Sequence, residues 1–203
     1  MTTRHLEALD HLRGTSEVMA KLIDNYELRH ITPKPPGEYF DVLVGTIISQ
    51  QLSVKAADTI ESRFRDAVGG FSPETLANLS VEDMRQHGLS KSKATYIRGL
   101  AQAFLDGRLD PLELEGMSDA EITQSLTALK GIGPWTVEMF LMFGMGHPDV
   151  WSPGDLGLRN ALSALFGEDS DPLELTNTWR PYRTYAALYL WEYSDGTPAA
   201  SRT

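Results

Sequence analysis

Leu129-Lys130-Gly131-Ile132-Gly133-Pro134-Trp135-Thr136 stands between two helical patterns. A helix arrives at Leu129 and a new one leaves at Pro134, whose fixed φ suits a first helical position. Glycines at 131 and 133 permit a very tight hairpin and leave no Cβ between the backbone and an approaching surface. Ile132, between them, is expected to plug the hairpin into the core. Amide N–H groups at the hairpin and at the new helix's first turn would then point outward together. That arrangement suits a phosphate and needs no cationic side chain.

The rest of the chain also reads as helix. Val18, Met19, Leu22, Ile23 and Tyr26 lie on one stripe. Tyr39–Gln50 is strongly apolar, and Val54, Ala57, Ile60 and Phe64 recur at helical spacing after it. Ser72, Ser80 and Ser90 read as N-caps, and Ser118 with Glu121 as a capping box. Trp135–Met145 is apolar nearly all round and should be buried. Asp155 precedes an amphipathic helix, and Pro181 should open the last one. Ile31–Gly37, with three prolines, reads as a linker. Period-2 alternation is not sustained. The expected class is all-α, with about ten helices counted along the 203 residues.

Composition removes several chemistries. Without cysteine there are no disulfides, thiolate nucleophiles or iron–sulfur clusters. The five histidines lack metal-ligand spacing, so no metal site is expected. No apolar run suits a membrane span and the first residues do not read as a signal peptide, so a cytoplasmic protein is expected. The net charge of −10 argues against a nucleic-acid partner when taken alone. The charge is uneven, however. Met84–Leu105 holds no acid but has Arg85, Lys91, Lys93 and Arg98, and Ile122–Val137 has Lys130 as its one formal charge. Lys91, Lys93 and Arg98 fit either a solvated face or one turned to phosphates.

Four landmarks in order resemble the helix–hairpin–helix (HhH-GPD) DNA glycosylase superfamily. The hairpin is the first. Trp151-Ser-Pro-Gly-Asp155, with Asp155 placed 19 residues after Thr136, is similar to that superfamily's loop and aspartate. Ile47–Ala57 is similar to the helix end and loop that reach into DNA. Trp179–Trp191 looks like the closing helix of the 3-methyladenine DNA glycosylase II branch. The resemblance covers roughly residues 38–193. Some members of that branch carry an extra N-terminal domain, and at this length none is expected here.

The resemblance implies roles for particular residues. Asp155 is the expected catalytic carboxylate, although an aspartate there also reads as a plain N-cap. No partner acid is evident. That favours a base already carrying positive charge, which leaves without protonation. Trp135 stands where lyase members similar to endonuclease III place a lysine. Tryptophan is no nucleophile, so hydrolysis without lysine-dependent strand cleavage is expected. Indole is a strong cation–π face, and Trp135 and Trp191 are expected to wall the base pocket, with Met139 and Leu156 as further lining; ordinary core packing is the alternative. Gln51 sits at the wedge position, with Gln50 and Leu52 as neighbouring candidates. Gly131, Gly133 and Thr136 would grip a phosphate. The carbonyls of Thr127, Leu129 and Ile132 are candidates for a monovalent cation, with no other cofactor. Arg159 reads as a helix salt bridge.

The expected architecture is two lobes, residues 38–148 with the hairpin and residues 1–37 plus 149–203, with a cleft walled by Trp135 and Trp191. The expected activity is release of alkylated purines such as 3-methyladenine from damaged double-stranded DNA by a monomer. Alternatives are the same fold acting on neutral lesions (hypoxanthine, ethenoadenine, uracil or a mismatch) and a DNA-binding protein without enzymatic activity.

Overall fold

A computed structural model describes residues 3–28 and 31–196. Among them are thirteen α-helices and no strand: α1 (Thr3–Thr15), α2 (Glu17–Asn25), α3 (Tyr39–Ser49), α4 (Val54–Val68), α5 (Pro73–Asn78), α6 (Val81–Gln86), α7 (Lys91–Leu105), α8 (Pro111–Leu114), α9 (Asp119–Thr127), α10 (Pro134–Met139), α11 (Leu156–Phe166), α12 (Pro172–Asn177) and α13 (Arg183–Ser194). The class is all-α. No helix among the described residues is long and apolar enough to cross a membrane.

The chain divides into two compact units, Pro33–Met145 and Met1–Thr32 with Gly146–Thr203. The dividing points lie a few residues before the sequence-based ones. Lys34 donates its amide to the Gly144 carbonyl at 2.7 Å, which ties the proline-rich segment to the 33–145 unit. Residues 1–2, 29–30 and 197–203 of the expected second lobe lie outside the described residues.

In the 33–145 unit, α3 is the organising element. Phe40, Leu43, Val44, Ile47 and Ile48 follow an i, i+3, i+4, i+7, i+8 pattern, and all are buried. α3 packs on α4, α7 and α10. Phe40 meets Phe104 edge-on at 5.2 Å, and Tyr39 meets Phe140 at 5.1 Å. In the other unit, α13 packs on α11, α1 and α2 around Leu12, Met19, Leu158, Trp179 and Leu190.

Local signals are met by local structure. Ser53, Ser72, Ser80, Ser90 and Ser118 each cap the helix that follows, and Ser80 and Ser118 complete capping boxes with Asp83 and Glu121. Each such cap stabilises its helix by about 1 kcal/mol. The pentapeptide Asp-Pro-Leu-Glu-Leu occurs at 110–114 and again at 171–175, and both copies start short helices (α8 and α12) with Asp as cap and Pro first. These two helices escaped the periodicity reading because neither is long enough to show a stripe.

Two helical expectations change. The expected helix through Met145 is α-helical only to Met139 and continues as a π-helical turn over Phe140–Gly144, closed by Met145 N–H to the Phe140 carbonyl at 3.1 Å. Pro181 does not open the last helix. Tyr182 stands outside it at φ −125°, ψ 32°, and its amide closes a turn on the Trp179 carbonyl, so α13 begins at Arg183.

Candidate active site

Asp155 is the N-cap of α11. Its Oδ1 accepts the Leu158 amide at 2.9 Å and the indole N–H of Trp191 at 3.0 Å. The carboxylate therefore sits at the positive end of a helix, partly exposed, with its orientation fixed by two donors. Gly157 makes room for this: a Cβ there would lie 3.2 Å from Asp155 Oδ1 and 3.3 Å from Trp191 Cδ1. The N-cap expectation for Asp155 is met, and the cap geometry holds its carboxylate in place.

The loop before Asp155 is pinned to the start of α13. Arg183 donates to both carboxylate oxygens of Asp149, through Nε at 2.7 Å and Nη2 at 3.2 Å, and to the Asp149 carbonyl at 2.7 Å. Arg180 adds a bond to the same carboxylate at 2.9 Å. The Thr184 hydroxyl accepts the Val150 amide at 3.0 Å and donates to the His147 carbonyl at 2.7 Å. Sequence reading missed Asp149, Arg183 and Thr184, because nothing local pairs residues more than thirty positions apart. Arg159 makes no ion pair among the described residues. It instead lines a recess of about 400 Å³ with Trp151, Pro153 and Leu162.

Within the 33–145 unit, the hairpin forms at the expected place. Ile132 is 5% exposed and plugs the core. Gly131 adopts φ +92°, and a Cβ on it would overlap the Tyr96 ring. Its missing side chain thus makes room for the Tyr96 ring of α7. Gly133 has open space around its Cβ position and caps α10 with no side-chain bond, leaving first-turn amides that no turn of α10 precedes.

Several expected DNA contacts are reassigned. Thr136 is 1% exposed, and its hydroxyl accepts the Gln50 amide at 2.9 Å, so that side chain supports the hairpin from beneath. Gln50 also donates to the Gly131 carbonyl at 2.9 Å, which removes it as a candidate to fill a base stack. Gln51 is exposed and held in the left-handed region at φ 58°, and Leu52 beside it is 39% exposed. Lys93 does not face outward as a free cation. Its ammonium donates to the Ile48 and Gln50 carbonyls, each at 2.7 Å, and burial pushes it below the usual lysine range. Trp135 is half-buried on the first turn of α10. Met139, expected at a pocket wall, is 6% exposed and belongs to the core, while Leu156 projects outward at 67% exposure.

The chain matches the family described as HhH-GPD superfamily base excision DNA repair protein over residues 44–180. It is 35% identical over 196 residues to DNA-3-methyladenine glycosylase 1 of Schizosaccharomyces pombe, covering 91% of this chain and 85% of that one. YfjP of Bacillus subtilis, provisionally named a DNA-3-methyladenine glycosylase, is 37% identical over 165 residues; these are 75% of this chain but 58% of YfjP. Among solved structures, S. pombe Mag1 in complex with abasic DNA superposes with a TM-score of 0.85 at 33% identity, covering 97% of this chain and 99% of Mag1.

Proposed function

The chain belongs to the HhH-GPD superfamily of base excision DNA repair proteins, and from that premise we propose that it is a monofunctional DNA glycosylase that hydrolyses the N-glycosidic bond of alkylated, positively charged purines such as 3-methyladenine. The observation that carries this reading is the carboxylate of Asp155, capped on α11 and held by the Trp191 indole.

Each residue has a part in the reaction. The amides around Gly133 and the first turn of α10 grip a phosphate of damaged double-stranded DNA. Gln51 fills the gap left by the extruded nucleotide, whose unpairing costs least when the base is damaged. Trp135 offers an indole face to the cationic base. As the base departs, positive charge develops on the sugar, and the fixed negative charge of Asp155 stabilises it and orients the attacking water. The base carries its own positive charge, so no second carboxylate is required. The Leu129 carbonyl accepts the Ile132 amide at 3.2 Å and retains a lone pair, and with the carbonyls of Thr127 and Ile132 it would hold a monovalent cation that steadies the hairpin.

The test is direct. Methylated duplex DNA incubated with the protein should release free 3-methyladenine or 7-methylguanine, identified by chromatography, and strand breaks should appear only after hot alkali. Breaks without alkali, or release of neutral bases alone, would overturn the assignment.

Trp191 has a separable role here. Trp191→Phe keeps an aromatic ring and deletes the N–H to Asp155. The turnover number is expected to fall about 10- to 100-fold, as for a reacting group displaced by about 1 Å, while affinity for abasic duplex stays unchanged. Weakened binding with unchanged turnover would instead make Trp191 a stacking surface only.

A further inference from the structure

We infer that Gln50 and Lys93 are positioning residues that join the Gln51 loop to the glycine hairpin, so that gripping a phosphate and entering the base stack occur as one rigid event. The inference rests on the glycosylase reading above, but the geometry stands apart from it. α3 ends at Ser49, and the carbonyls of its last turn have no helical partner. Lys93, reaching from the first turn of α7, donates to two carbonyls there, Ile48 and Gln50. The Gln50 side chain then crosses to the hairpin and donates to the Gly131 carbonyl and the Thr136 hydroxyl. A carbonyl can only accept, so the NH2 group of Gln50 must face Gly131, and both of its hydrogens find acceptors.

These four bonds tie three separate stretches of chain into one block: residues 48–50, Lys93, and the hairpin with its following helix. Gln51 comes immediately after the block, exposed, with a positive φ that sets it at a fixed angle to Gln50. A wedge on a loose loop would spend its time in many directions. A wedge one residue from a satisfied, partly buried network points one way whenever the hairpin is seated. Lys93 therefore contributes as an internal support and not as a contact to phosphate.

The experiment uses a duplex with a tetrahydrofuran abasic analogue and a neighbouring 2-aminopurine, whose fluorescence reports unstacking. Binding is read by anisotropy at several salt concentrations, and base release is read on methylated duplex. Lys93→Met and Gln50→Ala should bind the duplex with the wild-type salt slope. They should lose at least about half of the 2-aminopurine response, and their turnover number should fall about 10- to 100-fold, the size of effect of an ångström-scale misplacement. Thr136→Val, which keeps the side-chain shape and removes one acceptor, should show a smaller loss of the same kind, and it decides the matter if the other two do not fold. A Lys93→Met salt slope reduced by about one would mark a phosphate contact and overturn the inference. So would folded variants with wild-type fluorescence and turnover. In that case an active wild-type protein leaves the glycosylase reading intact, whereas a wild-type protein that binds the analogue and releases no base removes that reading.

Discussion

Asp155→Asn is expected to abolish measurable base release while the protein remains folded and still binds abasic duplex. Asparagine caps a helix as well as aspartate does. Its Oδ1 can still accept the Leu158 amide and the Trp191 indole N–H, so α11 and its contact with α13 survive. What disappears is one negative charge. A unit charge about 4 Å from the developing sugar cation is worth about 4 kcal/mol at an effective dielectric of about 20. That corresponds to about a thousandfold in rate. Single-turnover release of 7-methylguanine, with melting curves and anisotropy on the same samples, checks it. Release within about tenfold of wild type would show that the charge is not what catalyses the reaction, and an unfolded variant would show that the cap is structural before it is chemical.

The second large effect is on stability. Gly131→Ala places a Cβ where the Tyr96 ring lies and forces alanine to φ +92°. The left-handed conformation costs about 1–2 kcal/mol, and overpacking adds about 1–3 kcal/mol. The melting midpoint should fall by roughly 4–20 °C for a chain of this size, with weaker DNA binding because the hairpin cannot close. Gly133→Ala is the matched control. Gly133 has φ −104° and nothing near its Cβ position, so alanine there should leave the melting midpoint within about 2 °C of wild type. Equal midpoints for the two variants would show that the hairpin does not depend on the Tyr96 contact.

These two glycines show what a sequence displays and what it hides. The hairpin was legible because its signals are adjacent: glycine, isoleucine, glycine and proline in four successive positions. The caps Ser53, Ser118 and Asp155 were legible for the same reason, since each acts on an amide three residues away. Their partners across the fold were not. Tyr96 explains Gly131 from 35 positions upstream, and Thr136 explains Gln50 from 86 positions downstream. Lys93 looked like one more surface cation, because a sequence gives its charge and not the carbonyls it meets. Met139 carried the same apolar signal whether it faced a pocket or the core. The short helices α8 and α12 were hidden differently: at four and six residues each spans less than two turns, too little for an apolar stripe to repeat, although their Asp-Pro starts are plain once the two copies are compared.

α13 holds the 149–155 loop at two places, Asp149 through Arg183 and Asp155 through Trp191. Eight helical steps separate the two anchors, about 12 Å along the axis. The helix works as a ruler for that loop. Inserting or deleting one residue between the anchors would turn the indole by about 100° around the axis and carry it off the carboxylate. Replacement of outward-facing side chains on the same helix leaves the measure unchanged. The length of this segment is therefore more tightly constrained than most of its letters, and a homologue with a gap between these two positions would have to hold its aspartate by some other means.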